Sequence, residues 1–146
     1  MAALSDYLRN KLIDLTLRGQ AFSAPTSTYV GLYTAAPTAA GGGTEVSGGA
    51  YARVEVAGDL ASWAGTQGAG TTTASSGTTG ATSNNATVTF PAPSGANWGV
   101  VTHFGVFDAA SAGNLLFFGA LTTSKTINDG DAAPSFAAGE LDFSLA

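Results

Sequence analysis

Residues able to carry out acid–base or metal chemistry are scarce in this sequence. There is one histidine, His103, and there is no cysteine. A general acid or base needs an activated partner in a cleft, whereas His103 lies within an apolar stretch, so we interpret it as structural. The counts exclude a metal site with several imidazole ligands, a thiolate site and a disulfide. We therefore predict no catalytic, metal-binding or cofactor-binding residues, no cofactor, and a protein that is not an enzyme.

Two acidic stretches resemble ligand sites, and their spacing argues against both. Residues 128–131 (NDGD) resemble the start of a calcium loop, but the next glutamate is Glu140 and the pattern between them is absent. We predict a tight turn there. Glu140 and Asp142 lie two positions apart on a predicted strand and so point to one side. Paired carboxylates can hydrolyse a glycosidic bond only across a sugar cleft, and we favour a solvated strand face.

The net charge of −5 is unevenly distributed along the chain. Residues 1–19 hold three basic and two acidic side chains, a net charge of +1, while residues 20–146 hold two basic and eight acidic ones, a net charge of −6. An acidic body disfavours contact with a phosphate backbone, which needs clustered lysine and arginine. The glycines at 41–43 also lack the lysine of a phosphate-binding loop. We predict no nucleic-acid partner.

The hydropathy pattern predicts no membrane partner. No apolar run approaches the roughly 20 residues that span a bilayer. Arg9 and Lys11 interrupt the apolar core that a signal peptide would need near the start. We therefore expect synthesis and assembly in the cytoplasm.

Charged residues are unusually rare, at 10% of the chain against about a quarter in typical domains. Alanine, glycine, threonine and serine take their place. Such a surface is either covered by other subunits or belongs to a compact β domain whose hydroxyl side chains face water. Composition alone leaves both interpretations open.

The first element that could position functional residues is a helix predicted over residues 5–18. Ser5 can cap its start and Gly19 can adopt the left-handed conformation at its end. Leucines recur along one face, and two further apolar residues widen it. This face either packs on its own domain or contacts a neighbouring subunit. Its members are Leu4, Leu8, Leu12, Leu15, Ile13 and Leu17.

The rest of the chain reads as strands. The chain is organised around residues 27–56, which are predicted to form a strand, a loop of small residues and a second strand. The second strand is predicted over 51–57. Further strands are predicted over 86–90, 98–107, 114–121 and 140–145. Turns at these intervals favour a mainly β fold, an antiparallel β-sandwich of jelly-roll type with one N-terminal α-helix. We divide the chain into the helix at 1–19 and a sandwich domain at 20–146.

Residues 65–85 form a low-complexity segment that carries no charge and no large apolar side chain. Such a segment cannot bury enough surface to fold alone. It is either a long flexible loop or a β-arm that neighbours hold in place, and we favour the loop.

The tyrosines and tryptophans have two interpretations. Most are expected in the core, but together on the surface they could form a platform for a sugar or a subunit. Trp63 and Trp98 would carry a sugar-binding platform.

Two segments resemble a family of small bacteriophage virion proteins, often described as tail-fibre-like. The resemblance spans most of residues 28–121 and lies in the motifs LYT with Pro37, GTEV ending at Val46, GG before Tyr51-Ala52-Arg53, WGVVTHFGVFD at 98–108, and GNLL at 113–116 with Gly119. Within it, Glu45 and Arg53 are scarce charges that could pair. We expect an exposed pair worth roughly 0–1 kcal/mol.

The resemblance implies a structural component of the virion, without enzymatic activity. With the charge-poor composition, it predicts many copies in a homo-oligomer such as a trimer, bound to major capsid or tail proteins. The subunit would act as capsid decoration (cement) or as a tail-fibre or tail-tip protein. The alternative is a carbohydrate-binding module for host-surface glycans, carried by exposed Trp63 and Trp98.

Overall fold

The computed structural model describes residues 2–145 of the chain. Residue 1 of the predicted helix region and residue 146 of the predicted sandwich domain lie outside the described residues. The fold is mainly β, with antiparallel sheets and one helix, as predicted. The elements are β1 (Ala3–Leu4), α1 (Asp6–Leu17), β2 (Ser27–Ala35), β3 (Thr44–Glu45), β4 (Val54–Ala57), β5 (Ala81–Ser83), β6 (Val88–Thr89), β7 (Gly99–Phe107), β8 (Leu115–Ile127), β9 (Ser135–Phe136) and β10 (Asp142–Ser144).

Helix α1 begins and ends within one residue of the prediction because its caps are encoded locally. The Ser5 side chain accepts a hydrogen bond from the Leu8 amide at 3.1 Å, and the Arg18 amide donates to the Asp14 carbonyl. Ser5 also donates its hydroxyl to the Leu115 carbonyl at 2.5 Å, so the cap fixes the first turn against β8. Within residues 2–145, no helix is long and apolar enough to cross a membrane.

The apolar face of α1 is only partly covered by its own chain. Leu8 is buried, while Leu15 on the same side of the helix is 45% exposed. Ile13 and Leu17 lie one turn apart on the opposite side and are 49% and 81% exposed. The first turn therefore packs on its own domain, as one of the two interpretations predicts. The second half has no cover within residues 2–145, and its contact with a neighbouring subunit stays a prediction.

A six-stranded antiparallel sheet forms the main layer, in the order β1-β8-β7-β2-β3, with β4 also paired to β2. Strand β7 lies between β2 and β8, which agrees with the central position that its apolar residues on both faces predict. Val30 pairs with Val106 and Leu32 with Phe104, so these four side chains share the inner face.

The inner face is covered by two ribbons, β5–β10 and β6–β9, which gives a sandwich-like arrangement. Their contribution to the core includes Val88, Phe90, Leu141 and Phe143. This second layer is made of short ribbons, whereas a jelly roll has a second full sheet.

The outer face of the sheet carries a smaller apolar cluster of Tyr33, Phe107 and Leu115, with Tyr29 and Phe118 against it. The alternation along β2 explains this arrangement, since Val30 and Leu32 point inward while Tyr29 and Tyr33 point outward. The outer cluster is the floor of the site described below.

Two strands depart from the prediction. A register shift between Val101 and His103 rotates β7, so Val101 joins the inner core with Phe104 although the two lie three residues apart. Strand β8 continues to Ile127, six residues beyond the predicted end, through a stretch of exposed hydroxyl side chains.

Residues 65–85 are cross-linked by their own polar side chains. The Gln67 amide donates to the Thr73 hydroxyl and the Ala74 carbonyl, and Asn85 both accepts from the Gly70 amide and donates to the Thr71 carbonyl. Strand β5, inside this segment, pairs with β10 of the same chain. The segment thus has hydrogen-bonded structure that requires neither a neighbouring subunit nor an apolar core.

Candidate functional site

The structure places the predicted chemistry-bearing residues in structural roles. His103 lies on β7, half-buried, with Nδ1 2.9 Å from the Thr102 hydroxyl. Within residues 2–145, no cluster of three or more histidine, cysteine, aspartate or glutamate side chains could hold a metal ion.

Residues 128–131 form the predicted tight turn. The Asp131 carboxylate accepts from the Asn128 amide at 2.7 Å, and the Asp131 amide donates back to the Asn128 carbonyl. Asp129 accepts from the Gly95 amide at 2.8 Å, so its carboxylate holds a neighbouring turn.

Glu140 and Asp142 border a cavity of about 440 Å³ beside Lys125 and Phe136. The Glu140 carboxylate accepts the Ala137 amide at 2.6 Å, so it caps the turn before β10. Asp142 is exposed on β10, as a solvated strand face predicts.

A network of polar groups beside β2 connects β2, β3 and the segment just before β4, and the ring of its member Tyr51 packs against Phe90 and Trp98 of the inner core. Arg53 and Glu45 form a bidentate ion pair, with Nε and Nη2 each 2.8 Å from a carboxylate oxygen. Tyr51 donates its hydroxyl to Glu45 at 2.9 Å and accepts from the Leu32 amide of β2 at 2.8 Å. The side chains of Arg53 and Glu45 are 8% and 27% exposed. The expectation of an exposed pair is therefore wrong, because the sheet and the β7–β8 loop enclose the guanidinium.

Arg53 also connects the sheet to the loop between β7 and β8. Its Nη1 donates to the carbonyls of Ala109 and Ala112 at 2.9 and 2.8 Å. Its guanidinium carbon lies 3.3 Å from the centre of the Phe107 ring, a cation–π contact. We call Glu45, Tyr51, Arg53 and Phe107 the Arg53 latch.

Two glycines leave room for these side chains on the outer face. A Cβ at Gly31 would lie 2.9 Å from the Glu45 carboxylate, 3.0 Å from the Tyr51 hydroxyl and 3.2 Å from the Phe107 ring. A Cβ at Gly105 would lie 2.9 Å from the Tyr33 ring. The glycines at these strand positions therefore let the latch and the outer cluster lie flat on the sheet.

Burial and the ion pair shift the pKa values of Tyr51 and Arg53 in the latch and of the neighbouring Tyr33. The pKa of Tyr33 is raised to about 12. Burial is the largest cause, the nearby Glu45 charge also raises the pKa, and the Arg53 charge lowers it by a smaller amount. Burial also raises the pKa of Tyr51. Burial alone would lower the pKa of Arg53, but its hydrogen bonds and charge interaction with Glu45 outweigh that and raise it. The tyrosines are therefore neutral and the arginine is charged at neutral pH.

A groove runs beside the latch across the outer face. One cavity of about 340 Å³ lies between the start of α1, residues 39–42 and the β7–β8 loop, and Tyr7, Tyr33 and Phe107 line it. A second cavity of about 290 Å³ also borders Tyr7 and is lined by Phe22 and Tyr29. We call these two adjoining cavities the aromatic groove.

The β7–β8 loop supplies polar groups to the groove. Asp108 accepts hydrogen bonds from the backbone amide and the side-chain amide of Asn114, at 2.7 and 2.8 Å. Gly113 turns the chain there with a φ of 71°. Arg53 holds the same loop through two carbonyls, so the latch fixes the polar edge of the groove.

The tryptophans bear out the expectation that most of these rings lie in the core, and the alternative of an exposed tryptophan platform is wrong. Trp98 is 4% exposed, and its indole N–H donates to the Gly49 carbonyl at 2.8 Å. Trp63 is half-buried, packs edge-on against Phe143, and its buried indole N–H has no hydrogen-bond partner among the described residues. Trp98 belongs to the inner core, and the Trp63 ring packs against that core.

The residues of the latch and the groove were not identified as a site from composition or chemistry. Their signal lay in the motifs of the resemblance, which contain Tyr33, Glu45, Tyr51, Arg53 and Asn114. Part of those motifs therefore supplies the latch and the groove, although residues 45 and 114 lie far apart in the chain.

The class that the fold defines is a mainly β domain with antiparallel sheets and one helix. A family model described as podophage GP4 fiber I protein gp80 matches residues 3–144. The chain belongs to this family of phage fibre proteins, and it is a structural protein of the virion. No protein in a search of curated sequences matches the chain.

Proposed function

We propose that the chain is a non-enzymatic fibre subunit present in several copies, which binds other copies of itself and an adjoining capsid or tail protein. The observation that carries this proposal is the uncovered second half of α1. Ile13 and Leu17 are neighbours one turn apart on the same side of this short helix and are 49% and 81% exposed. Clustered exposed apolar side chains mark interaction surfaces. Burial of each such side chain contributes roughly 1.5–3 kcal/mol.

Charge favours a second copy of this chain as the partner of α1. Residues 1–19 carry a net charge of +1 and residues 20–146 one of −6. In α1, Arg9 and Arg18 pair with Asp6 and Asp14, which leaves Lys11 as the uncompensated cation of the helix. Contact between α1 of one copy and the body of the next brings opposite net charges together. Such a head-to-tail contact forms a closed ring where the rotation between copies closes and an open filament where it does not, and a trimer is the closed form that we propose.

The fibre description of the family favours a tail-fibre or tail-tip position over capsid decoration. A cement protein would cover the capsid in many evenly spaced copies, whereas a fibre subunit would occupy a few projecting sites. The alternative as a glycan-binding module cannot use Trp63 and Trp98, because neither forms an exposed platform.

The proposal is tested by the mass of the purified protein in solution, measured by sedimentation velocity. We expect the wild type to be an oligomer at about 100 μM, and Leu17→Glu or Ile13→Glu to dissociate it, because a charge would have to be buried in the contact. Leu60→Glu is the matched control, since Leu60 is 53% exposed but lies outside α1.

Dissociation by the two α1 variants but not by Leu60→Glu supports the proposal. A wild type that is monomeric at that concentration, or an oligomer that both α1 variants leave unchanged, contradicts it. The exposed positions of all three residues mean that each variant should keep the fold of the monomer, which circular dichroism verifies.

A further inference from the structure

We propose that the second half of α1 of one copy docks into a groove between β8 of the next copy and the part of that copy from β9 to β10. This inference rests on the proposed head-to-tail assembly and names the surface that receives the helix. The groove consists of two adjoining cavities of about 440 and 60 Å³, and both are lined by Leu121, Lys125, Ser135 and Phe136. We call it the β8 groove.

The floor of the β8 groove is apolar. Leu121 and Phe136 are half-buried and pack against the inner core, so each still presents part of its side chain to the groove. The smaller cavity reaches the core itself, where buried Phe90, Val101 and Ile127 line it. It offers space for the tip of one aliphatic side chain, and filling it would remove apolar surface from water on both partners.

The groove follows an edge of the main sheet that its own chain leaves open. Strand β1 pairs with β8 only at Phe117 and Phe118, while β7 occupies the other side of β8. Residues 119–127 therefore have no strand partner on this edge within residues 2–145. Native proteins commonly cover an open edge with a helix or a loop. In the proposed contact, the covering helix comes from the neighbouring copy.

Helix α1 carries a row of side chains that matches this floor. Arg9, Ile13 and Leu17 follow one another at four-residue steps, so they lie one turn apart on the same side of the helix. Leu17, the most exposed of the three, stands at the end of the row and would enter the smaller cavity. Ile13 would then lie over Leu121 and Phe136.

Charge sets the direction in which α1 lies along β8. Asp142 borders only the larger cavity, whereas Lys125 borders both. With Leu17 in the smaller cavity, Arg9 would face the Asp142 carboxylate at the other end of the groove. The C-terminal end of the helix, where the dipole is negative, would lie near Lys125. The reverse direction would bring like charges together.

Arg9 can make this contact without losing its partner within the chain. Its Nη1 lies 3.0 Å from the Asp6 carboxylate, and the side chain is 49% exposed. A guanidinium carries five N–H donors, so others can reach a second carboxylate. The exposed Asp142 on β10 is therefore the partner that we assign to Arg9.

The proposal is tested by sedimentation velocity at about 100 μM with variants of the groove. Ser135 is exposed and lines both cavities. Ser135→Arg should therefore fill the groove, and Asp142→Arg should repel Arg9, each weakening association at least about tenfold. Ser94→Arg is the matched control and should associate like the wild type, since Ser94 is exposed and lines neither cavity. Circular dichroism verifies that each variant is folded.

A charge exchange tests whether the two assigned residues meet. Arg9→Glu alone should dissociate the oligomer. Arg9→Glu combined with Asp142→Arg in one chain should restore association to within about threefold of the wild type. Such a rescue requires that the two positions lie together in the contact.

Mixing two defective variants tests whether helix and groove are the two halves of one contact. Leu17→Glu keeps an intact groove, and Ser135→Arg keeps an intact helix. Each variant alone should be monomeric, while the mixture should form a complex of two chains, twice 14.4 kDa.

The inference is overturned if Leu17→Glu dissociates the oligomer while Ser135→Arg and Asp142→Arg leave it intact, and the proposed assembly through α1 then still stands. It is also overturned if the charge exchange does not restore association, or if the mixture of Leu17→Glu and Ser135→Arg stays monomeric. A wild type that is monomeric at this concentration contradicts both the inference and the proposed assembly.

Discussion

At the scale of single residues, the scarce charges of this protein are used to hold backbone together. Arg53 contacts a carboxylate on β3, two carbonyls of the β7–β8 loop and the face of Phe107. Its contacts with the β7–β8 loop join segments that are more than fifty residues apart in sequence. One side chain therefore determines how the outer face of the sheet is assembled.

Replacing Arg53 by methionine should destabilise the protein by about 2–4 kcal/mol. The apolar stem would remain on Phe107, but the partly buried Glu45 carboxylate and two carbonyls would lose their donors. Urea denaturation measures the change in the free energy of unfolding. Arg18→Ala is the control, because its pair with Asp14 is exposed and should be worth less than about 0.5 kcal/mol. Equal effects of the two substitutions would show that the latch adds no stability.

Tyr33 makes stability depend on pH in the alkaline range. Its pKa is about 12 in the folded protein and about 10 in an unfolded chain. The unfolded state therefore loses its proton first, and the free energy of unfolding should fall as the pH rises from about 10 through about 12. Denaturation curves across this range should show a smaller fall for Tyr33→Phe than for the wild type. An identical fall in both would assign the effect to other groups, such as Tyr51.

At the scale of elements, the sequence predicts what local chemistry determines. Helix α1 could be placed to within one residue because Ser5 and Gly19 mark its ends, and the central position of β7 followed from apolar residues on both of its faces. The end of β8 could not be predicted, because the polar residues after Leu121 resemble a loop while pairing with β7 extends the strand.

The short strands and the latch were also beyond prediction, for a different reason. Strands of two residues such as β3 and β9 carry no periodicity, and they exist only because a partner strand is next to them. The enclosure of the Glu45–Arg53 pair depends on the β7–β8 loop, which is more than fifty residues away in sequence. Burial produced by distant segments leaves no local signal.

At the scale of the whole molecule, residues 2–145 contain no cluster of side chains that could hold a metal ion. They do expose large apolar side chains, several of them on α1. In the proposed assembly, the exposed half of α1 of one copy would contact the acidic body of the next. The aromatic groove lies on the outer sheet face, within one copy.

The most direct test of the central claim is a cryo-electron microscopy reconstruction of the virion that carries this chain. We predict several copies in a projecting fibre, with Ile13 and Leu17 of each copy buried against the body of the next. A reconstruction with the chain in the fibre as a single copy, or with these two side chains facing solvent in every copy, would contradict the account.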